Sequence, residues 1–453
     1  MVSTAKQFAI EIMSRYPTYR AMPPGAVRTY AALKYHGQHS TRQEITRLVR
    51  SLDGIPIRYL STAMVAARAA FRTGHDDLVA PTLDRLADRF PEAAGHHELR
   101  SDLQSFYGDY DAAITSASRA RLLDPASPAA AARQVRLAYR RWPRPAADQL
   151  AVAAVRRFPR SSEVLWAVAK QCDTAEQYAR IRSAWDERVA EPADLLRAVR
   201  QLGMAATRAR QIDAATDLYR EAIGLLQQRR ASREGVRPAV RKLEGRGAWG
   251  AIEGVTTTLD RAGVPFFFAA GTALGFVRAG GPLSADNDID VGVLEEDWDR
   301  DALVDLFARD PKFDLDLHPL SKKVCVRHRG ESPIDLFRFY REGGKMWHDG
   351  VFVRWHNTPF RVVRREIRGL SVPIPEDADT YLTENYGDWR TPDSAFDPFT
   401  EQAPNLDVTW PEYQRMHLVR RAYKQLTTGD AAAARESLAR AGAEPAQRIG
   451  ADA

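Results

Sequence analysis

Cysteine is almost absent from this chain, which has only two in 453 residues, Cys172 and Cys325. Because they lie far apart in the sequence, they exclude a fold held by disulfides and a zinc site built from cysteines. Free cysteines usually behave as small core residues, and we predict that role for both.

Long apolar runs are missing too. No run reaches the roughly 18 residues that a membrane-spanning helix needs, so none is predicted. Residues 1–17 lack the apolar core and the cleavage site of a signal peptide. We therefore expect the protein in the cytoplasm.

A strong charge imbalance is lacking as well, since the net charge is +6 and the pI is about 9.3. This mild bias suits an anionic substrate, an anionic membrane surface or nucleic acid, and does not choose among them. The composition, 44% hydrophobic and 27% charged, is ordinary for a folded protein. A chain of this length exceeds one core, so we expect two or three domains.

The most informative segment is Phe266–Gly292. It begins with an apolar run, 266–270, that predicts a buried strand. Gly271 and Thr272 follow and predict a tight turn where a backbone can approach a phosphate. Residues 274–278 predict a short helix.

The same segment ends in a strand-like pattern with carboxylates at alternate positions. Residues two apart share a face of a strand, so Asp288 and Asp290 point the same way while Ile289 and Val291 face the core. Adjacent carboxylates resist joint burial unless a divalent cation neutralises them, and oxygen ligands suit Mg²⁺. The alternative is a solvated acidic loop.

A third carboxylate lies in an alternating stretch, 333–340. Ile334 and Leu336 take one face of the predicted strand, and Asp335 and Phe337 take the other. An aspartate between apolar residues needs a partner, for which a nearby arginine is one interpretation.

These residues carry a resemblance. A strand, Gly-Thr, a helix and Asp-x-Asp are similar to the signature of the nucleotidyltransferase fold, and GTALGFVRAGG followed by DNDIDVG resembles the LicD/fukutin family. A second stretch, 372–392, with VPIP, YL, YGDW and Pro392, resembles the tail motif of that family. The likeness covers roughly residues 245–400. Ala285 stands where the family usually has Trp, and Asn287 where it has an acidic residue.

The resemblance implies that the catalytic and metal-binding residues are Asp288, Asp290 and Asp335. It also implies that the donor phosphates contact Gly271, Thr272 and Arg278. The metal would be Mg²⁺ or Mn²⁺. Asp335 is expected to be the general base for the acceptor hydroxyl, a second-metal ligand, or both. For Arg278 the alternative is a surface salt bridge.

Four further residues are candidates for substrate contacts: Lys322, Lys323, Tyr386 and Trp389. The alternatives are a solvated strand face for the lysines and a capped core for the aromatic pair. His348 and His356 lack the spacing of a zinc site, so we predict structural or substrate-contacting roles for them.

The activity implied by the resemblance is transfer of a phospho-alcohol, such as phosphocholine, ribitol phosphate or glycerol phosphate. The donor would be CDP-activated, and the acceptor a hydroxyl of a cell-surface glycan, such as a capsule or teichoic acid, or its precursor. One alternative is a nucleotidyltransferase acting on RNA, protein or a small molecule, against which the tail motif argues. Another is a repeat-based scaffold with an inactive transferase domain, against which the three aspartates argue. No specific nucleic-acid partner is expected.

The first half of the chain has an internal period. Prolines 91, 125 and 159 are 34 residues apart, the length of a tetratricopeptide repeat. Gly108 is predicted in the turn of one helix pair, with Ala113 and Ala120 where the helices pack closely. We expect four or five such repeats over residues 60–226. Their surface would bind a protein partner or associate with itself, unless the array is only a spacer.

The predicted architecture is an α-helical solenoid followed by an α/β (α+β) domain of nucleotidyltransferase fold, a mixed sheet with flanking helices. The predicted units are a helical N-terminal segment (1–59), the repeats (60–226), a basic linker (227–246), the catalytic domain (247–410) and a C-terminal helical hairpin (411–445). The linker is either solvated or an anchor to anionic lipids at the inner face of a membrane. The hairpin has the offsets of the repeats and is interpreted as one more repeat-like unit docked on them. We predict that the catalytic half is separable from the repeats, and the alternative is that the docked hairpin makes the two halves one unit.

Overall fold

The computed structural model describes most of the chain, namely residues 18–21, 25, 28–33, 47–51, 54–55, 57–189, 191–231, 248–283, 286, 288–310, 312–318, 320–328, 333–393 and 396–442. Most of the predicted segment 1–59 and of the basic linker 227–246 lies outside these residues, as do Ala285 and Asn287.

The described residues from 57 to 231 form ten helices, in agreement with the predicted helical array: α1 (Leu60–Thr73), α2 (Asp76–Arg89), α3 (Ala94–Phe106), α4 (Tyr110–Leu123), α5 (Pro128–Arg141), α6 (Arg144–Arg157), α7 (Ser162–Ala169), α8 (Ala175–Asp186), α9 (Pro192–Arg208) and α10 (Ile212–Ala231). Helices α3, α5 and α7 begin at 94, 128 and 162, so the predicted 34-residue period appears as repeated helical hairpins. Assignment to the tetratricopeptide class stays a prediction.

The hairpin of α3 and α4 shows why the sequence folds this way. Gly108 takes the left-handed conformation, with φ of 77°, between the two helices. Asp109 then caps α4 by accepting a hydrogen bond of 3.1 Å from the backbone of Ala112. Ala113 and Ala120 are fully buried, which lets neighbouring helices approach closely.

The array ends later than predicted. Helix α10 continues to Ala231, past the expected boundary at 226, because the sequence has no glycine or proline from 226 to 234.

The C-terminal hairpin consists of α15 (Pro411–Thr428) and α16 (Ala431–Gly442), joined at Gly429 with φ of 98°. Its expected docking on the repeats is confirmed. The rings of Tyr219 on α10 and Tyr423 on α15 lie 5.8 Å apart, and the Tyr423 hydroxyl donates to the backbone oxygen of Leu196 over 3.3 Å. One continuous core runs from the repeats through this hairpin into the sheet domain.

The sheet domain contains ten strands: β1 (Phe267–Phe268), β2 (Ile289–Leu294), β3 (Phe313–Leu315), β4 (Val324–His328), β5 (Pro333–Glu342), β6 (Lys345–Asp349), β7 (Val353–Asn357), β8 (Val362–Ile367), β9 (Leu370–Pro375) and β10 (Leu406–Val408). The main sheet has the order β1-β2-β5-β6-β7-β10, and β4 carries β3 and pairs with the first half of β5. Only β2 and β5 pair in parallel among the described strands. The flanking helices are α11 (Ala248–Ala262), α12 (Ala270–Ala279), α13 (Arg300–Arg309) and α14 (Ala378–Tyr386).

One predicted element near the site differs. The strand expected at 266–270 is reduced to Phe267–Phe268, and α12 begins at Ala270. Gly271 and Thr272 therefore lie in the first turn of a helix, and the tight turn predicted there is wrong. The helix starts early because both residues bond to Asp290, as described below.

The repeats also contact the sheet domain through ion pairs. Lys170, which follows α7, lies 2.5 Å from the carboxylate of Asp316, and Arg140 on α5 pairs with Asp314. Asp314 lies within β3, and Asp316 follows that strand. No helix in the described part of the chain is both long and apolar enough to cross a membrane.

Candidate active site

Three aspartates at alternate positions converge where β2 begins. Asp290 is the second residue of β2, and Asp288 and Asp286 precede it. Carboxylate oxygens of the three lie within 4.8 Å of one another. Asp286 was not singled out by the sequence analysis, although the D-x-D-x-D spacing was the signal that could have found it.

The electrostatics of this group are those of crowded, buried carboxylates. Burial and the nearby Asp335 raise the pKa of Asp288 to about 7. Burial and Asp288 raise the pKa of Asp290 well above its usual range. Three acidic oxygens whose charges disfavour one another fit a divalent cation, which would bind them in their ionised form.

The N-terminus of α12 holds Asp290 in place. The backbone N–H of Gly271 donates to Asp290 Oδ2 over 3.1 Å, and the Thr272 hydroxyl accepts from the backbone N–H of Asp290 over 2.8 Å. Both residues therefore orient the aspartate, and the phosphate contacts expected for them stay a prediction. A side chain at 271 would not fit, because its Cβ would lie 2.6 Å from an oxygen of Asp286.

Ala270 is strained at this point. Its φ of 41° is left-handed, a conformation that costs a residue other than glycine about 1–3 kcal/mol. Its backbone N–H donates to the hydroxyl of Tyr381 on α14 over 3.0 Å, which helps to hold the strained geometry. Tyr381 is part of the tail motif, but the sequence analysis gave it no role in the site.

Asp335 lies beside Asp290, its register partner in the parallel pair of β2 and β5. It forms an ion pair with Lys323, so the predicted pairing with an arginine is wrong in the identity of the cation. Burial alone would lower the pKa of Lys323, but the Asp335 carboxylate outweighs this effect and raises it. Cys325 lies opposite Asp335 on β4. Both cysteines are buried, as predicted.

Arg278 and the tail motif form one wall of the cleft. Arg278 Nη1 donates to the backbone oxygen of Trp389 over 3.0 Å, and no carboxylate of the described residues pairs with it, so a surface salt bridge is wrong. Arg278, Tyr386 and Trp389 all line the cleft that contains the aspartates. Burial and the proximity of Asp290 raise the pKa of Tyr386 well above its usual range. Gly387, with φ of 63°, ends α14 between the two aromatic residues.

The two lysines predicted to contact substrate have different positions. Lys323 lines the cleft and also a neighbouring cavity, whereas Lys322 lies 2.9 Å from Asp349 and lines only the neighbouring cavity. The physical reason for this difference is that consecutive residues of an extended segment point to opposite sides. A substrate contact stays a prediction for both lysines.

The two histidines are held by the sheet. His348 is stacked between Phe339 and Trp355, with ring centroids 4.5 and 5.0 Å apart, and burial lowers its pKa to about 3. It also lines the cleft. His356 Nε2 lies 3.1 Å from Lys345 Nζ on the exposed side of the sheet.

The cleft has a volume of about 770 Å³ and two chemically distinct ends. Carboxylates occupy the end at β2 and β5, and aromatic side chains the end at β6, β7 and α15. A strand, a helix whose first turn holds an aspartate of the next strand, and a further carboxylate on the parallel neighbour define a domain of the nucleotidyltransferase fold.

Comparison with known proteins agrees with this class. Residues 263–377 match the LicD/FKTN/FKRP nucleotidyltransferase domain, so the chain contains a domain of that family. Proteins named ribitol-5-phosphate transferase FKTN, from Homo sapiens, Mus musculus and Macaca fascicularis, are 26% identical to it over 168 residues. That similarity covers 34% of this chain, and the chain spans only 36% of the length of those relatives. Asp286, Asp288, Asp290 and Asp335 all lie inside the matched domain.

Proposed function

We propose that this protein transfers a phospho-alcohol from a CDP-activated donor to a hydroxyl of a cell-surface glycan or its precursor. The observation that carries the proposal is the cluster of partly buried aspartates in a large cleft, inside a region that matches the LicD/FKTN/FKRP domain. The similar proteins named ribitol-5-phosphate transferases support an alcohol phosphate as the transferred group. Ribitol phosphate, glycerol phosphate and phosphocholine are the candidates.

In this proposal Asp286, Asp288 and Asp290 hold Mg²⁺ or Mn²⁺. When bound, the ion would neutralise the pyrophosphate of the donor and stabilise the charge that develops on phosphoryl transfer. Gly271 and Thr272 keep Asp290 in the orientation this requires.

Asp335 would accept the proton of the attacking hydroxyl. Its pairing with Lys323 favours this role over that of a second-metal ligand, because a cation already lies against one of its oxygens. The remaining N–H groups of Arg278 are available for the donor phosphates, and the Tyr386 and Trp389 rings for stacking on the base or the alcohol.

The products formed from defined donors test the proposal. The protein is incubated with CDP-ribitol, CDP-glycerol, CDP-choline or CTP, with Mg²⁺ and a glycan acceptor, and the nucleotide products are identified by mass spectrometry. We expect CMP from one CDP-alcohol and none from the variant D290N. The control D349N, which alters an aspartate outside the cleft, should behave as wild type.

Other outcomes favour the alternative functions. Pyrophosphate released from CTP would indicate a nucleotidyltransferase. Failure to bind or turn over any of the four nucleotides would indicate a scaffold with an inactive domain.

The partners of the protein and its position in the cell are also proposals. We infer that the helical repeats bind a protein partner or a second copy, and that the basic segment 227–246 gives the protein a peripheral position at the cytoplasmic face of a membrane. The charge of the segment supports such contact, which is worth about 1 kcal/mol per basic residue near an anionic surface.

A further inference from the structure

The end of the cleft opposite the aspartates combines strand β7, which lies inside the matched domain, with Phe399 and helix α15, which lie outside it. Trp355 lies on β7, three strands from Asp290 on β2, which corresponds to at least about 14 Å across the sheet. Next to it are Phe399 and two residues of helix α15, Tyr413 and Arg420. We call this end of the cleft the aromatic chamber.

Contacts between aromatic rings join the walls of the aromatic chamber. The ring of Phe352 stacks on Tyr413 at 4.7 Å and on Phe399 at 5.6 Å, and Trp355 meets Phe399 edge to face at 5.5 Å. The indole N–H of Trp355 donates to the backbone oxygen of Pro398 over 2.8 Å. Such preorganised aromatic faces suit the flat, apolar side of a sugar ring.

Arg420 is the cation of the aromatic chamber. It is exposed to solvent, and hydrogen bonds to buried and half-buried residues position it. Its Nη2 donates to His417 Nδ1 over 2.9 Å, and His417 Nε2 donates to Asp397 over 3.3 Å. Asp397 also accepts from Arg421 over 2.8 Å. Burial lowers the pKa of His417, which agrees with a neutral ring whose Nδ1 is an acceptor.

The charge of Arg420 is not balanced by a neighbouring carboxylate. Among the described residues no acidic side chain lies within 4 Å of its guanidinium, and its one hydrogen bond is to a neutral histidine. By contrast, the charge of Lys323 at the other end is balanced by Asp335. A guanidinium has five N–H donors and can bind a carboxylate or a phosphate with two of them.

We propose that the aromatic chamber binds the acceptor as an anionic sugar, with a phosphate or carboxylate group on Arg420 and the sugar ring against the aromatic wall. The inference rests on the proposed transfer reaction, because it assigns the aspartate end to the donor. The inference adds that the acceptor carries a negative charge and that helix α15 contributes to recognition of the acceptor. The aspartates at the opposite end of the cleft orient the acceptor, since they repel its anionic group.

Binding measurements on the full chain test this proposal. Titration calorimetry is carried out with glucuronate, glucose 6-phosphate and uncharged glucose, with and without CDP and Mg²⁺. We expect glucuronate or glucose 6-phosphate to bind at least about 10-fold more tightly than glucose, and the stronger of the two identifies the anion.

Two variants of Arg420 on α15 test whether this residue causes the preference for charged sugars. R420M should remove the preference for the charged sugar, and R420K should keep only part of it because lysine cannot form the paired contact. The matched control R415M alters an exposed arginine of the same helix and should leave the preference intact. The affinity for CDP with Mg²⁺ should be the same in all of these proteins.

Two results would overturn the inference. One is equal binding of charged and uncharged sugars by the wild type, or a preference that survives in R420M. The other is a loss of CDP affinity in R420M, which would mean that the aromatic chamber holds the donor. A wild type that binds the charged sugar but never CDP would leave the inference standing and would count against the proposed donor.

Discussion

At the scale of single residues, the aspartates of the cleft carry negative charges that the side chains around them do not fully neutralise. The raised pKa of Asp288, about 7, means that the folded protein holds a proton there which the unfolded chain releases near pH 4. Stability from this group is therefore present at low pH and is lost as the pH rises through 7. A bound cation would replace the proton.

This predicts a specific pH dependence. Without metal, the unfolding free energy should fall between pH 4 and 7, and the fall should be smaller in D288N. Mg²⁺ competes with protons, so it should raise the melting temperature more at pH 8 than at pH 5. Thermal unfolding at several pH values, with EDTA or with Mg²⁺, measures both effects.

The control for this experiment is D301N, which alters an almost fully exposed aspartate on α13. It should keep the wild-type response to Mg²⁺. An effect of Mg²⁺ that is independent of pH, or that persists unchanged in D288N, would remove Asp288 from the metal site.

Lys323 permits a second prediction at this scale. Replacing it in K323M leaves the buried Asp335 without its cation, which should lower the unfolding free energy by about 3 kcal/mol, the lower end of the range for breaking a buried pair. The neighbouring K322M breaks an ion pair in which the lysine is 74% exposed and should cost less than about 1 kcal/mol. Urea unfolding of both variants gives the comparison. Equal losses of unfolding free energy in the two variants would show that the ion pair of Lys323 with Asp335 stabilises the fold no more than the exposed pair of Lys322.

At the scale of elements, the decisive contact is that of helix α12 with strand β2. The first turn of α12 is strained at Ala270 and bonded to Asp290, so the helix cannot shift without moving the carboxylate. Helix α14 adds the Tyr381 hydroxyl to the same turn. The shape of the aspartate cluster therefore depends on how these three elements pack.

The variant G271A tests this dependence. The new methyl group would meet the end of the Asp286 side chain, which can rotate away, so we expect the fold to persist but the affinity for Mn²⁺ to fall by at least about 10-fold. The same substitution at Gly224 on α10 meets open space and should leave binding unchanged. Electron paramagnetic resonance of bound Mn²⁺ measures the affinity. Unchanged binding in G271A would show that Asp286 is not a ligand.

At the scale of the whole molecule, the repeats and the sheet domain share one core through α15 and α16. Met416, Val419 and Ala422 on α15 are fully buried in that core. This shared core favours the alternative that the two halves form one unit over the predicted separability of the catalytic half.

A truncation series tests this sharing. A fragment that begins at Ala248 keeps every aspartate of the cleft but exposes the apolar face of α15, so we expect it to aggregate or to unfold without a cooperative transition. A fragment that begins at residue 90 loses only α1, α2 and the residues before them. The core of that end includes no residue of the sheet domain, so this fragment should bind CDP as the full chain does. A folded, CDP-binding fragment from Ala248 would contradict the shared core.

The sequence by itself determined the features that depend on local patterns. The period of 34 residues, the turn at Gly108 and the strand that contains Asp290 follow from the spacing of apolar residues and from glycine positions. The family resemblance likewise rests on short strings, and the domain match later supported it.

Only the tertiary structure decided which distant groups meet. The contacts of Asp286 with Gly271 and of Lys323 with Asp335 depend on packing and strand register, and a shift of one residue would have brought Lys322 to the cleft instead. The docking of α15, which carries Arg420 to the end of the cleft, depends on the apolar surface of helices two hundred residues earlier. No local sequence pattern predicts such contacts, because they stabilise the protein only when both surfaces have folded and meet.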